Sequence, residues 1–351
     1  MAQWQEIDGW AEDQLSAAWP ALLKSCERLA RQPQWTTTCN TAATLGRQPG
    51  EQAVREFFRA HFSPWQLFAG SREARGLVTG YYEPLIAGSR TADAEYRWPI
   101  HGTPPDLINV ELAGLHPELK GLRLRGRLVG NKLLPYSSRA ELSSAGEDFP
   151  APVLLWAKDP IDLFFLQVQG SGRVELPDGS RVRIGYAEHN GHPYQSIGRW
   201  LVDQQQLTLD QASMEGIKQW ARSNPTRLQE LLNVNPAYVF FRELPSGNQR
   251  DGEEEGPIGA LGVPLSSGRS IAVDPQHVPL GAPVFLSTTE PLSERPLRRL
   301  VLAQDTGGAI KGALRADFFW GFGDQAGRQA GRMRQQGQMW LLLPQGMTPE
   351  Q

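Results

Sequence analysis

The sequence predicts a mainly β fold with flanking helices, in the α+β class. Apolar residues near the N-terminus recur at helical spacing, whereas most of the remaining chain consists of short apolar runs separated by turn residues. The final third is rich in Gly and Pro and carries short strand-like runs at 271–273, 283–286 and 299–303. This combination indicates a small barrel or sandwich.

A first helix is expected within residues 10–30, because the apolar residues there share one helical face. These residues are Leu15, Ala18, Trp19, Leu22, Cys26 and Leu29. A shorter second helix follows, with its apolar face at Val54, Phe57, Phe58 and His61.

The middle of the chain is predicted to be mostly β. The clearest feature is a hairpin at 173–187, because Pro177, Asp178 and Gly179 supply turn chemistry between two alternating runs. Further strand-like runs lie at 77–82, 122–129, 153–157, 163–169 and 238–243.

A pair of helices is predicted at about 194–234, between these strands. Thr208 and Gln211 have the spacing of a capping box, and Pro225 suits the first turn of a helix. The polar, acidic stretch at 247–256 is expected to be an exposed loop.

Composition excludes several functional classes. Lys and Arg number 35 against 38 Asp and Glu, so the net charge is −3 and no global positive field is available to hold nucleic acid. No apolar run approaches the roughly 18 residues of a membrane-spanning helix. The sequence has no phosphate-binding Gly-Lys-Ser/Thr loop and no Gly-x-Ser-x-Gly elbow, which disfavours nucleotide hydrolysis and serine nucleophiles.

The sequence contains two cysteines, Cys26 and Cys39. A four-cysteine zinc site is therefore excluded, and one disulfide or two free buried thiols fit the count equally well. The pair His189 and His192 lacks further ligands nearby, so neither a metal nor any other cofactor is expected.

The densest chemical signal lies around Asp305 and Asp317. Asp305 stands where an apolar run meets a Gly-Gly turn, and Asp317 directly precedes Phe318, Phe319 and Trp320. A carboxyl group held against aromatic rings loses hydration of its charged form, so its pKa rises and it can act as a general acid. The alternative is that Asp305 caps a turn and Asp317 caps a short helix.

Asp305 also begins an Asp-Thr-Gly tripeptide, the motif of aspartic proteases. Those enzymes need two such aspartates sharing one proton, and the sequence has no second copy of the motif. The protease interpretation is therefore disfavoured.

Two further segments fit a saccharide cleft, where aromatic rings stack on sugars and amides bond to hydroxyl and acetamido groups. The first, GYYEP at 80–84, supplies Tyr81, Tyr82 and Glu83 as candidate substrate-binding residues. The second, QVQGSG at 167–172, supplies four more: Gln167, Gln169, Gly170 and Ser171.

Taken together, these segments resemble the lytic transglycosylase A family, the membrane-bound murein transglycosylases that cut bacterial peptidoglycan. The resemblance covers about residues 77–343, with the motifs in the family's order. They are GYYEP at 80–84, QVQGSG at 167–172, NGHPYQSIG at 190–198, NPAYVFF at 235–241, VPL at 263–265, DTGGAIKG at 305–312 and ADFFWGFG at 316–323. Lys311, within the sixth motif, is a further candidate for substrate binding.

The resemblance implies two β-rich domains with the glycan in a groove between them. A six-stranded double-psi β-barrel would be formed by residues 1–104 and 243–351, and a second β-barrel domain, at 105–242, would be inserted and bind substrate. It also implies that Cys26 and Cys39 form a disulfide in an oxidising periplasm.

The resemblance further implies one catalytic aspartate, which falls on Asp317, with Asp305 as its companion. Asp317 would protonate the bond between N-acetylmuramic acid and N-acetylglucosamine, and the muramic C6 hydroxyl would then close a 1,6-anhydro ring without water. Two alternatives remain open: an inverting glycoside hydrolase on a similar barrel, with Asp305 as base, and a non-catalytic glycan-binding protein of the cell wall.

The implied partners are peptidoglycan strands and a cell-wall synthesis complex, with no nucleic acid or nucleotide, and a monomer is expected. The implied location is the periplasm, in association with the outer membrane. The opening residues lack the pattern of a secretory signal, and no lipoprotein anchor is expected in this sequence.

Overall fold

The computed structural model describes residues 1–70, 73–119, 122–245 and 256–349. The chain divides into two compact units, one formed by Met1–Glu83 with Gly247–Gln351 and the other by Pro84–Ser246. The predicted acidic loop at 247–256 lies outside the described residues, apart from Gly256.

The described residues form three N-terminal helices, a run of seven strands, a mixed middle region and a mainly β C-terminal part. The helices are α1 Trp19–Leu29, α2 Pro33–Thr44, α3 Glu51–His61, α4 Arg139–Ala145, α5 Pro160–Gln169, α6 Ile197–Asp203, α7 Met214–Ser223, α8 Leu228–Asn233 and α9 Gly323–Ala330. The strands are β1 Phe62–Gln66, β2 Gly76–Glu83, β3 Leu85–Ser89, β4 Trp98–His101, β5 Ile108–Val110, β6 Leu124–Val129, β7 Lys132–Pro135, β8 Val153–Ala157, β9 Ser171–Glu175, β10 Arg181–His189, β11 Val239–Glu243, β12 Ser270–Val273, β13 Pro283–Thr289, β14 Pro296–Asp305, β15 Ala316–Phe322 and β16 Arg334–Pro344.

In the first unit, six strands pair in the order β2-β15-β12-β14-β13-β16, and β16 pairs again with β2. The pairing therefore returns to the strand from which it began, while β1 adds to the outside of β16. The apolar faces of these strands and of α1 to α3 share one core, which includes Phe58, Phe285 and Phe318.

The two predicted N-terminal helices are confirmed as α1 and α3, and α2 lies between them unpredicted. A disulfide joins Cys26 of α1 to Cys39 of α2, with the two Cα atoms 5.3 Å apart. Of the alternatives that the cysteine count allowed, the bonded pair is the one observed.

The second unit contains a six-stranded sheet in the order β11-β10-β9-β3-β8-β4 and a three-stranded sheet in the order β5-β6-β7. The predicted hairpin is confirmed, because β9 and β10 pair antiparallel. The predicted domain boundary near 105 differs from the start of this unit at Pro84, because β3 and β4 both pair with β8.

The strand predicted at 163–169 is wrong, because these residues belong to α5. The Asp159 side chain caps the helix by accepting hydrogen bonds from the backbone N–H groups of Ile161 and Asp162, and Gly170 ends it with a φ of 78°. The helix packs apolar residues against two separate clusters, which removes the one-sided pattern of an amphipathic helix.

Three helices, α6, α7 and α8, occupy the region where a pair was predicted. The backbone N–H of Thr208 does donate to Gln211 Oε1, at 3.0 Å, but this bond forms in a turn ahead of α7. None of the helices in the described parts of the chain has the length and apolar character needed to cross a bilayer.

Candidate active site

Asp305 and Asp317 lie on two strands of the first unit that are separated by one strand. Asp305 is the last residue of β14 and Asp317 is the second residue of β15. Between them, Ala272 of β12 is the Cα partner of both aspartates. Because neighbouring strands lie about 4.8 Å apart, the two aspartate Cα atoms are roughly 10 Å apart. Since Asp317 is inside a strand, the predicted alternative of a helix cap is wrong.

Asp317 is held by a residue directly opposite it on β2. Thr79 is its Cα partner in the parallel pairing of β15 with β2, and the Thr79 hydroxyl donates to Asp317 Oδ1 at 2.5 Å. Thr79 Oγ1 in turn accepts a hydrogen bond of 2.8 Å from Arg315 Nη2. Burial raises the pKa of Asp317, against the lowering effect of Thr79 and Arg315, and the charge of Asp305 raises it further.

Asp305 is held from two sides. The Tyr81 hydroxyl donates to its Oδ2 at 3.0 Å, and the backbone N–H of Ala260 donates to its Oδ1 at 2.9 Å. Burial raises the pKa of Asp305 although the hydrogen bonds from Ala260, Thr306 and Tyr81 lower it. Both aspartates are thus biased toward the protonated form, which is the property a general acid requires.

Tyr81 links the two aspartates electrostatically. Its pKa is raised well above the ordinary tyrosine value by burial and by the charges of Asp305 and Asp317, so its hydroxyl stays protonated and can donate. Its ring packs against Phe319 of β15, with the ring centroids 5.2 Å apart. The predicted residue Tyr81 is therefore part of the same cluster as both aspartates.

The other two residues of the GYYEP motif are placed differently. The Tyr82 ring lies so close to α9 that a Cβ atom on Gly327 would come within 2.9 Å of Tyr82 Cε2. Glu83 is completely buried. For both residues, direct contact with a glycan stays a prediction.

The QVQGSG segment lies in the second unit. Gln167 is buried in α5, where its Oε1 accepts from Arg139 Nη2 at 2.5 Å and its Nε2 donates to the Val239 carbonyl at 3.4 Å. The amide therefore supports the framework of this unit. Gln169 ends α5, Gly170 caps it and Ser171 begins β9, so the segment is a helix-to-strand junction.

Lys311 is exposed on the segment that connects β14 to β15. This segment is tied down by Asp274, whose Oδ2 accepts a hydrogen bond of 2.8 Å from the backbone N–H of Gly312. Burial raises the pKa of Asp274, but the backbone hydrogen bonds from Gly312 and Gln276 and the charge of Lys311 lower it overall. The connection that carries Lys311 is thus fixed between the two aspartate strands.

Comparison with known proteins gives a consistent result along the chain. The model of the MltA specific insert domain matches residues 77–242, and the 3D domain model matches residues 269–343. The membrane-bound lytic murein transglycosylase A of Escherichia coli K12 is 32% identical over 308 residues, covering 83% of this chain and 74% of the relative. The chain belongs to the membrane-bound lytic murein transglycosylase A family.

Solved structures of this family support the assignment. The crystal structure of MltA from Neisseria gonorrhoeae has a TM-score of 0.88 and 39% identity, and the match covers 99% of this chain and 93% of that one. The crystal structure of Escherichia coli MltA with bound chitohexaose has a TM-score of 0.69 and 26% identity, covering 94% of this chain and 90% of that one. The family resemblance of the sequence is thereby confirmed.

Sequence reasoning missed three groups at the candidate site: Thr79, Arg315 and the backbone N–H of Ala260. One signal was available for Thr79, because it stands two residues before Tyr81 and side chains two apart on a strand share one face. The parallel register of β2 against β15 brings Thr79 to Asp317, and the sequence does not reveal that register. In the described part of the chain, no group of three or more His, Cys, Asp or Glu residues is arranged to hold a metal ion.

Proposed function

We propose that the protein is a lytic transglycosylase that cleaves the β-1,4 bond between N-acetylmuramic acid and N-acetylglucosamine in peptidoglycan. The observation that carries the proposal is the half-buried Asp317, whose pKa is raised by partial burial while Thr79 donates a hydrogen bond to one of its oxygens. The family relatives named lytic murein transglycosylases and the Escherichia coli relative with bound chitohexaose support the choice of a glycan substrate.

In the first step, protonated Asp317 donates its proton to the glycosidic oxygen. The bond from the muramic C1 to that oxygen breaks, the N-acetylglucosamine leaves as an alcohol, and positive charge develops at C1. Burial favours this step, because the raised pKa of Asp317 increases the fraction of the carboxyl group that carries the transferable proton.

In the second step, the same carboxylate acts as a base. It removes the proton from the muramic C6 hydroxyl while the C6 oxygen attacks C1, and a 1,6-anhydro ring closes. Asp317 regains its proton, so atoms and charge balance without water. When Asp305 is ionised, its charge raises the pKa of Asp317 and would stabilise the positive charge that develops at C1.

The remaining expectations extend this proposal. The closed six-strand pairing of the first unit fits a double-psi barrel that carries the chemistry, and the second unit fits the inserted substrate-binding domain. Tyr81 and Lys311 are proposed to contact the glycan near the aspartates. The relatives are named membrane-bound, which supports a location in the cell envelope, where the disulfide would persist.

One alternative has a specific observation in its favour. Asp305 and Asp317 lie two inter-strand spacings apart, with β12 between their strands. This separation is compatible with the roughly 6.5–9.5 Å between the carboxyl groups of inverting glycosidases. In that case Asp305 would activate water, and the product would carry a reducing muramic end.

Product analysis separates these mechanisms. Purified protein is incubated with murein sacculi, and the soluble fragments are examined by mass spectrometry before and after borohydride reduction. We expect muropeptides that are lighter than the hydrolytic products by one water and that resist reduction. Reducible ends would overturn the transglycosylase proposal in favour of hydrolysis.

Two variants assign the catalytic residue. Asp317→Asn is expected to abolish release of fragments, whereas Asp324→Asn, at an exposed acid of α9, serves as the matched control. Release of the same fragments by Asp317→Asn would remove Asp317 from the mechanism. No release by the unaltered protein would favour a glycan-binding role.

A further inference from the structure

The hydroxyl group of Thr79 stands between a guanidinium group and the proposed general acid. It accepts a hydrogen bond from Arg315 Nη2 at 2.8 Å and donates one to Asp317 Oδ1 at 2.5 Å. A threonine hydroxyl carries a single proton and rotates to suit its partners. Its orientation therefore depends on what surrounds it.

Arg315 itself is fixed by the backbone of both strands that form the site. Its Nη1 donates to the Ala316 carbonyl of β15 at 2.5 Å and to the Leu77 carbonyl of β2 at 3.4 Å. The side chain is half-buried, and burial lowers the pKa of Arg315 while the charge of Asp317 raises it. These bonds hold the guanidinium group in one position beside the hydroxyl group of Thr79, which in turn bonds to Asp317.

A guanidinium group has donors and no acceptor, so the Thr79 proton cannot point toward Arg315. The acceptor next to that hydroxyl is Asp317 Oδ1. We propose that Arg315 is a positioning residue that acts through Thr79, fixing Asp317 Oδ1 as an acceptor so that the transferable proton of Asp317 resides on Oδ2. The inference rests on the proposed general-acid role of Asp317 and deepens it.

The arrangement would serve both steps of the reaction. While Asp317 is protonated, the bond from Thr79 leaves Oδ2 as the oxygen that carries the proton. After proton transfer, the same bond becomes charge-assisted and stabilises the carboxylate. Oδ2 then remains available to take the proton from the muramic C6 hydroxyl. One oxygen is thereby reserved for orientation and the other for proton transfer.

The charged and titratable groups that face Asp317 define the expected pH effect. They are Arg315, which stands two positions before Asp317, Tyr81 of β2 and Asp305 of β14, and the neutral hydroxyl of Thr79 on β2 also bonds to Asp317. Of these, Thr79 and Arg315 lower the pKa of Asp317. Removing either one should move the alkaline limb of kcat/KM to higher pH, because Asp317 then stays protonated to higher pH.

The test compares Thr79→Val with Thr79→Ser, and Arg315→Met with Arg332→Met, an exposed arginine after α9. Loss of a hydrogen bond to a charged group predicts a fall in kcat of about 10- to 100-fold for Thr79→Val, with little change in KM. Thr79→Ser should restore most of the kcat that Thr79→Val loses, because it keeps the hydroxyl. Soluble 1,6-anhydro products are measured across pH.

The double variant Thr79→Val/Arg315→Met is the decisive sample. If Arg315 acts through Thr79, adding Arg315→Met to Thr79→Val should cost little beyond the single change. The proposed action of Arg315 on Asp317 through Thr79 is called the relay. Fully additive losses would overturn the relay, because Arg315 would then act by another route. The relay would also be overturned if Thr79→Val and Arg315→Met both kept the kcat and pH profile of the unaltered protein.

Two controls separate this inference from the proposed function and from misfolding. Activity retained by Asp317→Asn would refute the proposed general acid itself, whereas an inactive Asp317→Asn with normal Thr79 and Arg315 variants would refute only the relay. Circular dichroism checks the fold of each variant. Should Thr79→Val fail to fold, the alkaline limb of Arg315→Met decides, since an unmoved limb would overturn the relay.

Discussion

The disulfide between Cys26 and Cys39 allows a quantitative prediction about the first unit. The two residues are 13 positions apart, and closing a loop of this length removes chain entropy from the unfolded state. The chain-entropy estimate for such a loop is about 3 kcal/mol at 25 °C. We therefore expect the double variant Cys26→Ala/Cys39→Ala to lose about that free energy of unfolding.

The loss should appear in one of two unfolding transitions, because the chain forms two compact units and the disulfide lies in the first. For a domain of this size, 1 kcal/mol corresponds to about 2–4 °C, so the first unit's midpoint should fall by roughly 6–12 °C. Differential scanning calorimetry without reductant measures this. The transition of the second unit should stay in place.

The double variant Cys26→Ala/Cys39→Ala is expected to disturb the structure around Asp305 only near the temperature at which the first unit unfolds. Gln304 Nε2 donates to the Ala21 carbonyl and to Ser25 Oγ of α1, at 2.8 and 3.0 Å, and Gln304 directly precedes Asp305.

Dithiothreitol added to the unaltered protein should reproduce the stability loss and should leave the double variant unaffected. A shift below about 1 kcal/mol would refute the loop-closure reasoning.

Three further predictions concern ionisable side chains of the first unit. Burial raises the pKa of Asp317 in the folded protein. The contribution of this carboxyl group to stability is therefore full below its ordinary pKa of about 3.9 and is lost as pH rises through its folded pKa. From pH 4 to pH 7, the stability of Asp317→Asn in urea should thus increase relative to that of the unaltered protein. An equal difference at both pH values would contradict this. Asp13→Asn leaves the buried Arg269 without its ion-pair partner and should cost about 3–5 kcal/mol in urea unfolding, whereas a cost under 1 kcal/mol would contradict the pairing. Tyr81→Phe removes a hydrogen bond that lowers the pKa of Asp305, so carbon-13 NMR titration of that carboxyl group should show a further rise, and an unchanged titration would exclude the bond.

Local sequence signals predicted α1, α3 and the strands β9 to β14, but missed other elements, including β15 and β16, and the one wrong assignment has a clear cause. The apolar run at 163–169 predicts a strand, whereas the structure has a helix there. In the structure α5 packs against two apolar clusters, and burial on two sides hides helical periodicity. The correct signals were the cap at Asp159, Pro160 in the first turn and Gly170 after the last.

The site was predictable only in part. Asp305 could be recognised because it stands between an apolar run and a Gly-Gly turn, and Asp317 because three aromatic residues follow it. Thr79 could not, because it precedes Asp317 by 238 positions and their contact depends on the parallel pairing of β2 with β15. Arg315 stands only two positions before Asp317, but its link to Asp317 passes through Thr79. The family motifs supplied the order of segments, whereas the register that brings their side chains together is a tertiary property.

In the proposed mechanism, Asp317 transfers a proton to and from sugar oxygens while water takes no part. Digestion of murein sacculi in water enriched in oxygen-18, followed by mass spectrometry of the new muramic ends, tests this mechanism. We expect no incorporation of the heavy isotope, because the C6 oxygen of the same sugar attacks C1. One heavy oxygen per cleaved bond would show that water attacks C1 and would refute the proposed ring closure.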